Sequence, residues 1–349
     1  MLLVFIYNYK IGIIFELKKN IDLNMKKIIL SGMRPTGKLH IGHFVGALEN
    51  WVKLQSEYQS FHLIADYHVL TTSLNTSNIK NDSIEMAIDW IASGIDPQKS
   101  PIFRQSQIKE HTELHLIFSM LITVSRLERN PTVKEQVRDL KIENITYGHL
   151  GYPVLQAADI LLYKGNYVPV GDDQVPHVEI TREIARKFNA TWGEVFPEPE
   201  PLLSNFARLP GLDGNAKMSK SLNNAILISD EPDEIKSKLR KAVTDPQKIR
   251  RNDPGRPEVC LVFTYHKKFN PNEIPEIESG CRSGSLGCVE CKLKCAEKIA
   301  SFFEPIRNKR KELELKPNLI EEILEDGEKR ARAVAQKTME EVREKMMFG

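Results

Sequence analysis

With 349 residues, 41% of them hydrophobic, the chain has the length to bury an α/β domain and a second, helical one. A formal net charge of only +2 at pH 7 excludes capture of nucleic acid by a global field, so any such attraction must come from local patches. The first fifteen residues are apolar but broken by Lys10, with no basic start and no small-residue cleavage site, so neither a spanning helix nor a secretory signal is expected there.

Met25-Lys26-Lys27 is the more sensible start, and residues 1–24 are expected to be an artefact of start assignment or a poorly packed extension. Residues 27–31 read as a buried strand, and Gly32-Met33-Arg34-Pro35-Thr36-Gly37 as a turn-forming loop before a helix that opens at about Ile41. Runs 61–65 and 167–170 read as further buried strands; 85–95 has helical spacing, 114–127 is a strongly apolar helix, and 126–141 is charged. Up to about Ser204 this alternation predicts an α/β fold with a Rossmann-type parallel sheet. After Glu231-Pro232 the periodicity turns helical over 233–243, 289–313 and 318–347, which predicts an all-helical C-terminal region. The expected divisions are 1–24, 25–232 and 233–349, with no internal repeat.

Two short strings carry the chemistry. His40-Ile41-Gly42-His43 opens a helix just after the first strand, where backbone amides and the helix dipole attract anions and Gly42 lets a flat base approach the backbone. Lys217-Met218-Ser219-Lys220-Ser221 follows Gly211, Gly214 and Asn215, and brings two ammonium groups and two hydroxyls into one flexible loop. Two histidines at i and i+3 are ordinary surface residues when alone, and a lysine-serine run is ordinary solvated loop. In this order and context they read as apparatus for activating a carboxylate with ATP, the histidines and lysines stabilising charge as pyrophosphate departs.

On these strings the chain resembles the class I aminoacyl-tRNA synthetases. The blocks 152–163 (Tyr152-Pro153-Val154-Leu155-Gln156-Ala157-Ala158-Asp159-Ile160-Leu161-Leu162-Tyr163) and 170–174 (Val170-Gly171-Asp172-Asp173-Gln174) make it similar to the tryptophanyl-tRNA synthetase family, from about Lys26 onward. From the residues themselves, Asp159 is a carboxylate able to accept from an indole N–H, with Ala157 and Ala158 leaving room for a large ring. The resemblance implies that Tyr152 and Gln174 bind the tryptophan ammonium, and that His68 faces the pocket. It also implies that Arg34, Pro35, Thr36, Gly42, His43, Gly171, Asp172, Asp173, Lys217, Met218, Ser219, Lys220 and Ser221 line ATP, with His40, His43, Lys217 and Lys220 catalytic. Implied with these are ATP with Mg2+, L-tryptophan, tRNA(Trp), a homodimer formed through an insertion in the α/β domain, an anticodon-reading helical domain, a cytoplasmic location and no membrane. The tyrosyl-tRNA synthetases are the neighbouring alternative, but Ala158 stands where they carry a tyrosine. A non-charging, synthetase-like binder is the alternative of a different class; the lysine loop argues against it.

All five cysteines fall late in the chain: Cys260, then after 20 residues Cys281, after six Cys288, after two Cys291, after three Cys295. A disulfide framework does not suit a reducing compartment, and four thiolates suit tetrahedral zinc or an iron–sulfur cluster. Cys260, Cys281, Cys288 and Cys291 resemble the four-cysteine 4Fe–4S motif of some bacterial members of the family, departing slightly in the long gap; zinc and free thiols stay open. Basic residues cluster over 236–256 and again at Arg307, Lys309, Arg310 and Lys311, each a candidate for phosphate contact.

Overall fold

The computed structural model describes residues 26–348 apart from 140–141, 204–208, 215–217 and 221. The stretch 1–24 therefore lies outside the described residues. Five strands, β1 (Ile28–Met33), β2 (Gln59–Ile64), β3 (Ile102–Arg104), β4 (Tyr167–Val170) and β5 (Glu200–Leu203), form one parallel sheet in the order β3-β2-β1-β4-β5. The Rossmann-type sheet expected from the alternation is present, with β1 extended to Met33 and β2 set slightly earlier than predicted.

Side chains leave a strand alternately to its two faces, so each strand feeds two cores. Ile64 and Ile102 enter one core; their neighbours Leu63 and Phe103 enter the other. The first core is covered by α1, a helix in three stretches (Ile41–His43, a π-type turn Phe44–Leu48, and Glu49–Leu54), and by α2 (Ile79–Ala92). The second is covered by α3 (Glu110–Ser119), α6 (Tyr147–Leu162) and α7 (Val175–Trp192). The apolar run 114–127 is two helices rather than one: α3 ends, and Thr123 caps a short α4 (Val124–Glu128) by accepting from the Arg126 amide. The charged run beyond it carries α5 (Pro131–Asp139).

The later chain is helical, as predicted: α8 (Pro232–Arg240), α9 (Leu261–Phe269), α10 (Ile274–Ser283), α11 (Cys288–Glu314) and α12 (Pro317–Met346). Helices α8, α9 and α11 complete the first core. Helix α12 belongs to both: Ile320 and Leu324 sit in the first core, Ala331, Ala335, Met339 and Val342 in the second. It passes from one face of the sheet to the other over the edge strand β3, and Gly327 marks the crossing. A Cβ at Gly327 would stand 2.0 Å from the Ile102 carbonyl oxygen, which is strand backbone and does not yield cheaply. Gly327→Ala is accordingly expected to destabilise by about 1–3 kcal/mol, read as a drop of several degrees in a thermal melt. Gly148→Ala, where a Cβ meets nothing within 4 Å, serves as the unperturbed comparison.

Two members of the later basic cluster, Arg307 and Arg310, do not face solvent, while Lys309 and Lys311 stay exposed. Arg307 and Arg310 are buried, donating to the carbonyls of Ala300 and Asp230 and to the carboxylates of α2, while Lys311 pairs with Glu231 at 2.6 Å. Residues three apart on one face of α11 point into the fold, and only their tertiary neighbours reveal it.

Candidate active site

The sheet reverses its strand order between β1 and β4, and there, at the carboxyl ends of both strands, a cavity of about 380 Å3 opens. Met33 and Arg34 come from the end of β1, Val170 and Gly171 from the end of β4, and Gly46 and Ala47 from the π-type turn of α1. Helix α6 contributes Tyr152, Gln156 and Asp159, whose spacing keeps them on one face.

Asp159 is 3% exposed and stands in the last turn of α6. One carboxylate oxygen lies 3.0 Å from His68 Nε2; the other accepts from Gln105 Nε2 at 2.7 Å. Nδ1 of His111 is also 2.7 Å from that second oxygen, but off the line of a hydrogen bond, while its Nε2 is 2.9 Å from the Tyr163 hydroxyl. Burial alone would raise the Asp159 carboxyl, yet His111 and His68 beside it hold it down at about 2. The cavity thus has an ionised acceptor at its base, fixed from three sides. Toward the other end, the Tyr152 hydroxyl lies 2.9 Å from His177 Nε2, whose other ring nitrogen is 3.3 Å from Asn130 Nδ2. Burial pulls His177 down to about 4, helped by His68, so the imidazole is neutral at physiological pH. Gln174 lines the same end and donates to Asp173 at 2.9 Å. Burial lowers the Arg34 guanidinium, opposed by the nearby Tyr152.

Beside this cavity, His40 caps α1, its Nδ1 accepting from the His43 amide at 3.2 Å, and the two imidazoles stack with centroids 3.6 Å apart. The segment after the lysine loop is laid along this helix start: Ile41 N donates to Ile226 O and Ile228 N to Leu39 O, each at 2.9 Å. Met218 reaches over Gly42, where a Cβ would be 3.5 Å from the sulfur and 3.0 Å from the His40 ring. The Lys220 ammonium donates to the carbonyls of Lys38, at 2.9 Å, and of Thr36. Desolvation there lowers its pKa, opposed by Asp82, Asp89 and Glu85. Asn224, buried, fixes the loop by accepting from Ser219 N at 2.7 Å and donating to Asp213 at 2.9 Å.

The family description "tRNA synthetases class I (W and Y)" matches residues 23–304. A tryptophan–tRNA ligase of Thermotoga maritima is 50% identical, over 91% of this chain and 98% of its own, and one of Aquifex aeolicus is 46% identical over 91% and 99%. The chain belongs to the class I tryptophanyl-tRNA synthetases. Among solved members of the family, the tryptophanyl-tRNA synthetase of Campylobacter jejuni "complexed with ADP and Tryptophane" superposes with a TM-score of 0.82 at 38% identity, over 91% of this chain and 99% of that one.

Of the residues expected to serve this family's site, Arg34, His68, Tyr152, Asp159, Gly171 and Gln174 line the one cavity. His40, Gly42, His43, Met218, Ser219 and Lys220 gather at the helix start beside it, together with the Pro35-Thr36 turn that carries one of the Lys220 acceptors. Asp172 and Asp173 occupy a short exposed turn and do not line the cavity. Lys217 and Ser221 lie outside the described residues. Gln105, His111, His177 and Asn224 were not singled out in the sequence. Each reaches the site from another element, and Gln105, His111 and Asn224 lie in polar stretches where nothing local marks them.

The cysteines draw together only in part. Cys260, Cys281, Cys288 and Cys291 are near enough that each thiolate would raise others, and burial pushes Cys291 up to about 12, followed by the neighbouring thiols. Cys291 Sγ lies 3.4 Å from His266 Nε2, and Cys295 is buried. Yet among the described residues no three His, Cys, Asp or Glu side chains are grouped to hold a metal ion. The donor chemistry suits a metal centre; the spacing of these thiols does not close around one.

Proposed function

We propose that the protein activates L-tryptophan with Mg-ATP and charges tRNA(Trp). The observation that carries this is the ionised Asp159 at the base of an aromatic-sized cavity that opens beside the histidine helix and the lysine loop. The tryptophan indole N–H donates to Asp159, the ammonium sits toward Tyr152 and Gln174, and the carboxylate points toward the helix start. There its oxygen attacks the α-phosphorus of ATP; the new P–O bond forms as the bond to the bridging oxygen of pyrophosphate breaks. His40, His43, Lys217 and Lys220 stabilise the charge passing to pyrophosphate, and Mg2+ when bound neutralises the phosphates. A ribose hydroxyl at the tRNA terminus then attacks the adenylate carbonyl and releases AMP. ATP–pyrophosphate exchange, offered each of the twenty amino acids separately, is expected with tryptophan alone. Exchange with tyrosine would mean that Asp159 reads a phenol, and no exchange at all would favour the non-charging binder.

Three finer readings accompany this one. Residues 25–232 form the catalytic domain and 233–349 the anticodon-reading one, with tRNA phosphates meeting the exposed Arg250 and Arg251. These basic residues border a hollow of about 520 Å3 at the start of α11. A homodimer forms across α3, α4 and the start of α6, where Leu116, Met120, Val124 and Tyr147 are exposed. Among the described residues no helix is long and apolar enough to cross a membrane, and five free thiols suit the cytoplasm.

The donor chemistry of Cys260, Cys281, Cys288 and Cys291, and their likeness to the family's four-cysteine motif rather than their distances, support a metal centre there, a 4Fe–4S cluster or zinc, which would brace the helical region and take no part in adenylation. Metal analysis and the visible spectrum of an anaerobic preparation decide between iron, zinc and free thiols. Cys288→Ser with Cys291→Ser is expected to weaken tRNA charging while sparing pyrophosphate exchange; equal loss of both would indicate unfolding.

A further inference from the structure

The loop that carries the nucleotide chemistry hangs on a carboxylate that neither the histidine string nor the lysine string contains. Asp89 on α2 is completely buried; its Oδ2 accepts from the Leu39 amide at 2.6 Å, immediately before His40. Its Oδ1 accepts from Arg310 of α11 at 2.5 Å. Arg310 is itself 1% exposed, donates also to the carbonyl and carboxylate of Glu85, and lies 3.0 Å from Glu314. On the far side of Leu39, the Lys38 carbonyl holds Lys220, and the Lys38 ammonium is 3.6 Å from the same Glu314. One guanidinium from the C-terminal region therefore sits behind the acceptor that fixes the backbone of residues 36–40.

We propose that Arg310, acting through Asp89, is a positioning residue for adenylate formation: it keeps the Asp89 carboxylate ionised, so that the Leu39 amide is held and His40 and Lys220 stay in register. This rests on the adenylating activity proposed above. The charged groups facing Asp89 are Arg310 and Glu314 of α11, Glu85 of its own helix, and Lys220 of the loop. Burial raises the Asp89 carboxyl to about 6, and Arg310 is the largest influence opposing it, ahead of the Leu39 amide, while Glu85 pushes it further up. Without the guanidinium, the buried carboxyl beside Glu85 takes up a proton near neutrality, and its grip on the amide weakens.

The test is the pH dependence of kcat for tryptophan-dependent pyrophosphate exchange in the wild type, Arg310→Met, Arg310→Lys and Asp89→Asn. Arg310→Met is expected to lose about tenfold at pH 6.5 and to recover to within about threefold by pH 9, since each unit of pKa rise is a tenfold loss of the ionised form. KM for tryptophan stays unchanged, and Arg310→Lys restores most of the rate. Asp89→Asn, whose amide oxygen still accepts from Leu39, loses the acid limb. A loss in Arg310→Met that is the same at every pH, or no loss, overturns the proposal. If Arg310→Met does not fold, a smaller shift of the limb in Arg310→Lys and its absence in Asp89→Asn support the proposal, and unmoved limbs overturn it.

A wild type without exchange would sink the adenylating reading, and the melting temperature then decides the ionisation of Asp89. Its folded pKa, about 6, lies above the ordinary 3.8, so its stabilising contribution is present below that ordinary value and lost as pH rises through 6. Arg310→Met extends that loss to higher pH, so its melting temperature falls more steeply than the wild type's between pH 5 and 8. Parallel curves overturn the proposal.

Discussion

Asp159→Asn is expected to lower kcat/KM for tryptophan by about 100-fold, and the loss should fall on discrimination rather than on chemistry. A buried site built around one hydrogen bond rejects a ligand that cannot make it, because the site's own polar groups are left unpaired. Here the acceptor is an ionised carboxylate held by His68 and Gln105 with His111 against it. An amide keeps the shape, loses the charge, and is drawn to point its oxygen at those partners. The informative comparison is an analogue whose indole N–H is replaced by sulfur: the wild type should reject it strongly, Asp159→Asn only a few-fold. Equal rejection by both proteins would remove Asp159 as the reader. Because the carboxyl is held at about 2, against an ordinary 3.8, it contributes stability above the ordinary value and loses it as pH falls toward 2. Recognition should therefore be flat above about pH 4, and any titration of tryptophan affinity near neutrality would have another origin.

Lys220→Ala should depress adenylate formation by about 100- to 1,000-fold while leaving tryptophan affinity within about twofold, the pattern of a group whose interaction is made in the transition state. The ammonium is parked on the carbonyls of Thr36 and Lys38, beside the residues proposed to meet the triphosphate. In the proposed reaction it exchanges these carbonyls for the departing pyrophosphate. Single-turnover formation of the adenylate separates this from slowed release of product. An undiminished rate would confine Lys220 to tethering the loop. Lys220→Arg should recover only part of the rate, because a planar fork does not fit two carbonyls arranged for a point charge.

What the sequence made legible is what lies within one contiguous string. The helix start at His40 and strands β1, β2 and β4 follow from local periodicity and turn chemistry, residues 167–170 to the residue, whereas the short strands β3 and β5 pass unread and the cavity residues of α6 are reached only through the family's block 152–163. Tertiary assembly was not legible. Asp159 is a carboxylate in the sequence; that Gln105 and His111 fix it depends on β3 and α3 being brought beside α6. The start of α2 at Ile79 is hidden by the polar residues Lys80, Asn81 and Asp82, so the helical spacing shows only from about residue 85. Arg307 and Arg310 look like phosphate contacts until the carbonyls of Asp230 and Ala300 stand opposite the first and the acidic residues of α2 opposite the second. Spacing brought the cysteines to notice, but whether thiols meet around one point is a question of distances that spacing does not answer.

The crossing of α12 over the edge strand has a consequence for how the protein is made. Both faces of the sheet take apolar residues from α12, and its backbone shields the one side of β3 that no other strand pairs. A nascent chain that has left the ribosome only as far as β5 has every strand of its sheet, yet holds two unfinished cores and an open edge, the kind of surface on which unfinished chains stick to one another. Completion of both cores and cover for that edge therefore wait for residues 320–342, long after the last strand is made.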